Sequence, residues 1–198
     1  LTAVSFYIFS TYMTTFLRSV MHMPADRVLM SNVVALTFAA AIAPVIGPIC
    51  DRVGRRATMF ASVVLLGGLS VPAYILASSG TLGHALVAQL VLALGAVTAN
   101  VVTAVLLSEV FPTKVRYTAS AVTYNISYAL FGGTAPFIAT YLIDVTGNIL
   151  APAIYITALA GLAFIAAWLL PETAGRPLDG LDQPVGAPQP SRARLSVQ

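Results

Sequence analysis

Long stretches of this sequence carry no charge at all. Residues 57–108 contain no Asp, Glu, Lys or Arg, and the same holds for 117–143 and 145–171. A helix that crosses the hydrocarbon core of a bilayer needs about 20 mostly apolar residues, so the first stretch has room for two. A soluble domain covers its surface with charge at about a quarter of its positions. Here 9% of residues are charged and 58% are apolar. These proportions exclude a soluble enzyme, a secreted disulfide scaffold and a nucleic-acid binder. The net charge of +3 rests on only ten Lys and Arg against seven Asp and Glu. Cys50 is the one cysteine, which leaves no intrachain disulfide and no cysteine-rich metal site. Leu1 opens directly on an apolar run, without Met or a basic flank. That pattern is read as a fragment and not as a signal peptide.

Six apolar segments follow one another at 2–21, 28–50, 57–78, 82–108, 115–143 and 149–170. An open sheet in lipid would leave its edge unsatisfied, so helix is the expectation for all six. Domain 1–171 is then a transmembrane bundle, and 172–198, with Pro177, Pro184, Pro188 and Pro190, is expected to be a disordered tail. The positive charges sort by side. Arg52, Arg55 and Arg56 lie between segments two and three, Lys114 and Arg116 between four and five, and Arg176, Arg192 and Arg194 after six. Only Arg18 and Arg27 fall on the other side. This asymmetry places the larger group, and the carboxy terminus, in the cytoplasm. Pro44, Gly47 and Pro48 in segment two, and Gly132, Gly133 and Pro136 in segment five, point to bent helices and close packing.

One inter-segment stretch is the most specific. Gly47-Pro48-Ile49-Cys50-Asp51-Arg52-Val53-Gly54-Arg55-Arg56 reads G-x-x-x-D-R-x-G-R-R. Gly47 permits close packing, Asp51 and Gly54 build a tight turn, and the arginines hold the loop in the cytoplasm. Asp51 sits at a helix carboxy end, and Arg55 and Arg56 at a helix amino end, both against the helix dipole. Charges so placed call for partners on other helices. A merely topogenic loop explains the arginines but not the glycines or the aspartate.

This stretch resembles the cytoplasmic-loop signature of the major facilitator superfamily. Glu109-Val110-Phe111-Pro112-Thr113-Lys114-Val115-Arg116 resembles its E-x-F-P-T-x-x-R loop, and Pro171-Glu172-Thr173-Ala174-Gly175-Arg176 its P-E-T-x-G-R signature. Their order fits the carboxy-terminal half. The resemblance implies an all-α membrane fold of six transmembrane helices, half of a twelve-helix fold, built as a 3+3 inverted repeat. Asp51-x-x-Gly54 and Asp144-x-x-Gly147 echo such a repeat. Tyr7, Thr11 to Leu17, Met23-Pro24, Arg116-Tyr117, Tyr124-Asn125 and Ala129 to Pro136 resemble the metabolite:proton symporters, the proline/betaine and α-ketoglutarate permease group. The Gln-Gln pair of sugar porters does not occur in segment one. The resemblance therefore implies a secondary transporter in a bacterial inner membrane. It would move an organic acid, amino acid or betaine by alternating access with the missing amino-terminal half, coupled to H⁺ and without a cofactor.

Substrate in such a fold binds near the bilayer midplane between the halves. Candidate contacts are Tyr7, Thr11, Tyr12 and Thr14 in segment one, Asn100 and Thr103 (with Gln89 on the same stripe) in segment four, and Tyr124, Asn125 and Tyr128 in segment five, where Phe131 follows. Asn and Thr would hydrogen-bond the solute, and aromatic rings would shape the pocket or stack on a cation. The bland alternative is packing glue between helices. No charged residue lies at a segment centre, so a proton carrier is expected in the other half. The resemblance makes Asp51, Arg52, Arg55, Arg56, Glu109, Arg116, Glu172 and Arg176 an ion-pair gate, against the alternative of weak exposed pairs. No nucleophile–base pair or His/Glu metal set supports a membrane enzyme. A sugar or drug-efflux carrier and a non-transporting receptor on the same fold remain as alternatives.

Overall fold

The computed structural model describes residues 1–169. The regular structure of those residues is all helix. Five helices are long and apolar enough to cross a membrane. They are α3 (Ala25–Val53), α4 (Arg55–Ala77), α5 (Leu82–Val110), the span Arg116–Thr146, and α8 (Ala151–Leu169). At about 1.5 Å per residue, the 29 residues of α3 run some 44 Å, the depth of a bilayer with its headgroups.

The first segment winds differently. It passes from α1 (Thr2–Tyr7) through a π turn at Ile8–Tyr12, α2 (Met13–Thr15) and a second π turn at Phe16–Val20. The Met21 amide donates to the Phe16 carbonyl, an i→i+5 bond. Its buried row is Val4, Ile8, Tyr12 and Phe16, flanked by Phe9, Met13 and Leu17. A repeat of four drifts round an α-helix of 3.6 residues per turn. Wider π turns unwind the segment and keep that row facing the bundle.

The expected bend in segment five is present. α6 (Arg116–Ser127) passes through a π turn at Tyr128–Gly132, and the helix restarts as α7 (Ala135–Thr146) after Gly133 and Thr134. In segment two, α3 runs as one continuous helix through Pro44 and Pro48. Among the described residues, a Cβ at Gly47, expected to allow close packing, would meet nothing within 4 Å. Close approach occurs instead at Gly95, where a Cβ would meet Leu66 Cδ2 at 2.8 Å, and at Gly132, where it would meet the Tyr7 ring at 2.7 Å.

The helices alternate in direction, so chain order sorts their ends. The end carrying Gly54 also carries Glu109, Arg116 and Trp168, while Arg18, Ala25, His84 and Asp144 lie at the opposite end. The core sits between the first segment, α4 and α5, where Tyr12, Tyr74, Phe16 and Leu92 are all under 3% exposed. Ser70 Oγ and Thr157 Oγ1, 2.9 Å apart, tie α4 to α8. Gly54 and Gly147 follow α3 and α7 and share one capping bond, although their ψ angles differ, 160° against 7°. Both have positive φ, 101° and 65°. Each donates its amide to the carbonyl just before the aspartate, Cys50 in one case and Ile143 in the other.

Candidate functional site

The expected turn at Asp51–Arg56 proves shorter than a loop. α3 continues through Asp51, Arg52 and Val53, and α4 begins at Arg55, so Gly54 alone joins them. Its φ of 101° and ψ of 160° form a conformation that glycine adopts without a Cβ penalty. The joint directs the Arg55 guanidinium inward. Nε donates to both Glu109 oxygens at 3.1 and 3.2 Å, and Nη2 to Oε1 at 2.8 Å. Nη1 donates to the Cys50 carbonyl at 3.1 Å and lies 2.9 Å from Asp51 Oδ1. The Arg55 and Glu109 side chains are 11% and 14% exposed, against 65% for Asp51.

This geometry resolves the misplaced charges. Arg55 opposes its own helix start, but it meets the negative carboxy ends of both α3 and α5. The fork on a carboxylate is the strong form of ion pair. Of the expected gate residues, the structure joins Asp51, Arg55 and Glu109. Arg56 Nη2 donates to the Trp168 carbonyl at 3.1 Å, and its guanidinium lies 5.8 Å from the Phe60 ring centre. Arg116 turns back on its own loop, to the Phe111 carbonyl at 3.1 Å and Thr113 Oγ1 at 3.4 Å. Arg52 is exposed. Glu172 and Arg176 lie outside the described residues.

The candidate solute contacts divide into groups. A cavity of about 430 Å³ lies among the first segment, α4, α5, α6 and α8. Thr103, Tyr124, Tyr128 and Phe131 line it. The rings of Tyr124 and Tyr128 stack with centres 4.1 Å apart and planes at 23°. Asn100 is the anchor behind them. Its Oδ1 accepts from the Tyr128 hydroxyl at 2.6 Å, and its Nδ2 donates to the Ala96 carbonyl at 3.0 Å. Tyr7 reaches this group at a tilt of 58°, its ring centre 6.4 Å from that of Tyr128.

The remaining candidates sit elsewhere. Tyr12 is in the core at 1% exposure. Thr11 is exposed, and Thr14 Oγ1 donates to its carbonyl at 2.6 Å. Asn125 is exposed and donates to the Ala121 carbonyl at 2.8 Å. Gln89 is fully buried, with no partner for either amide atom among the described residues. Sequence reasoning missed Thr2, Thr123 and Ser127 in the cavity wall. Thr2 Oγ1 lies 2.7 Å from Thr103 Oγ1. The spacing of Thr123 and Ser127, four apart beside Tyr124 and Tyr128, was the available signal.

Comparison with known proteins agrees with this architecture. The sugar (and other) transporter family matches residues 2–184. The proline/betaine transporter of Escherichia coli K12 is 34% identical over 182 residues, 90% of this chain and 36% of the relative. The ectoine/proline transporter of Corynebacterium glutamicum is 31% identical over 174 residues, 88% of this chain and 34% of its own length. The glycine betaine/proline/ectoine/pipecolic acid transporter of Dickeya dadantii is 31% identical over 182 residues, 90% of this chain and 36% of the relative. The chain thus spans about a third of the length of these relatives. No solved structure matches. The chain is a multi-pass membrane protein, and it belongs to the sugar (and other) transporter family.

Proposed function

We propose that this chain is the carboxy-terminal six-helix half of a secondary transporter for a small zwitterion or organic acid, with proline and betaine as leading candidates. The observation that carries the reading is the buried Arg55–Glu109 fork with Asp51. It links three helix ends at one end of the bundle. Such a contact, present in one state and broken in another, biases an equilibrium between two access states. Arg52, Arg56, Arg116, Glu172 and Arg176 extend this gate in the reading, and its end of the bundle faces the cytoplasm together with the carboxy terminus.

The first segment completes six spans in this reading, with residues 172–198 as a tail. The shared amide-to-carbonyl bond at Gly54 and Gly147, each next to an aspartate, supports a 3+3 repeat. Solute is held against Tyr7, Thr103, Tyr124 and Tyr128, with Asn100 setting Tyr128. Tyr12 supports the first segment from within, while Thr11, Thr14 and Asn125 meet the other half. That half supplies the proton carrier, and no cofactor takes part. The printed names of the relatives favour proline, betaine and ectoine as solutes.

The test is uptake by the full-length protein in proteoliposomes with an imposed proton gradient. Proline, glycine betaine, ectoine, a dicarboxylate and a hexose are compared. Gradient-dependent accumulation of one of the first four, abolished by a protonophore, is the expected result. Accumulation of the hexose alone overturns the substrate class, and uptake indifferent to the gradient overturns the coupling.

A further inference from the structure

The face of the first segment that turns away from the bundle is polar along much of its length. Ser10, Thr11, Thr14, Thr15, Arg18 and Ser19 recur at four-residue intervals opposite the buried row, and each is half-buried or exposed. Hydroxyls set against lipid forfeit hydrogen bonds, so such a face suits water or a polar solute. The row ends in a recess of about 300 Å³, formed by Thr14, Thr15, Arg18 and Ser19 with apolar residues at the start of α3. Asp26 and Arg27 are exposed nearby but do not line it.

Thr14 spends its donor on the Thr11 carbonyl, but the other three polar residues of this recess do not. Among the described residues, no hydrogen bond or ion pair engages the Arg18 side chain or the hydroxyls of Thr15 and Ser19. Helical Ser and Thr hydroxyls usually turn back to the carbonyl four residues earlier, as Ser10 does to Phe6 at 2.6 Å. Ser19 lies in a π turn, where the backbone ladder runs i→i+5, and it does not make that bond. The 430 Å³ cavity at the other end, by contrast, has aromatic faces and hydroxyls but, among the described residues, no charged side chain in its wall.

We propose that the Arg18 recess is a separate carboxylate-binding site. The guanidinium fork takes both oxygens of a small organic acid or zwitterion, and Thr15 and Ser19 donate to the same group. The site receives solute at the end opposite Gly54 before it moves along the polar row. This inference rests on the proposed transport of such solutes. Proline and glycine betaine uptake is compared in the full-length protein for wild type, Arg18→Gln, Arg18→Lys and the double variant Thr15→Val/Ser19→Ala. Arg18→Gln is expected to raise KM about tenfold with the maximal rate nearly unchanged. Arg18→Lys should recover part of that loss, since a point charge replaces the fork. The double variant should raise KM about threefold.

A second readout does not depend on transport. Proline or acetate should shield Arg18 from phenylglyoxal, as read by mass spectrometry. An unchanged KM in Arg18→Gln together with absent shielding overturns the site. So does an Arg18 effect that follows the anionic lipid content of the vesicles, which would make lipid phosphate the partner. Wild-type vesicles that take up none of these solutes overturn the functional reading instead, and shielding by acetate then still decides the site.

Discussion

The α3–α4–α5 corner and the α6–α7 span are built by opposite means. In the corner, α4 and α5 approach so closely that Gly95 meets Leu66, and the buried Arg55–Glu109 fork ties the ends. In the span, α6 contributes no buried residue, a π turn follows, and the helix restarts after Gly133 and Thr134. The corner behaves as one body because packed cores deform in discrete steps and not continuously. The span buries little within the described residues, and it is the mover in the proposed alternating access. Scaffold and mover thus share one chain. The aromatic pair Tyr124–Tyr128 sits on the mover, while its anchor Asn100 sits on the scaffold.

The comparison breaks most directly at the fork. Glu109→Gln leaves Arg55 largely buried with one partner fewer, and the full-length protein should lose about 3 kcal/mol in detergent unfolding. If that variant melts like wild type, the corner owes its rigidity to packing alone. A pair of glycines sharpens the contrast. Gly95→Ala drives a Cβ into Leu66, which is 1% exposed and has nowhere to go, at a cost of about 1–3 kcal/mol. Gly132→Ala meets the half-buried Tyr7 ring, which can swing aside, so melting should move less while transport rate falls. Equal melting shifts for the two would erase the distinction between scaffold and mover. The smallest effect is expected for Tyr128→Phe, which removes one hydrogen bond worth about 1 kcal/mol. Its signature is a change in solute KM with little change in unfolding.

Much of this contrast was legible in the residues. Charge-free runs located the helices because lipid tolerates no unpaired polar backbone, and Asp51 and Arg55 betrayed their pairing by opposing their own helix dipoles. Gly132, Gly133 and Pro136 announced the break in segment five. Other features depended on details that composition does not carry. Pro44 and Pro48 look like breaks, yet α3 absorbs both. Residues 2–20 contain no Gly or Pro, yet the first segment holds two π turns. The clue was the repeat of Val4, Ile8, Tyr12 and Phe16, a period of four that drifts round a helix of 3.6 residues per turn. Arg116 was expected among the gate charges, and its hydrogen bonds to its own loop, at Phe111 and Thr113, could not be read from spacing. Which of two equally plausible partners a long side chain chooses is a matter of ångströms, not of sequence spacing.

Gly54 has a mechanical consequence. A joint of one residue has two torsions, and here both α3 and α4 are held at that joint by Arg55. There is no slack chain for either helix to pay out. A tilt of α3 must therefore be passed to α4 as a lever passes it, and through Gly95 and Leu66 to α5. If the three lean together, the strain of a change in access must be taken up on the far side of the bundle, where the helix is already interrupted.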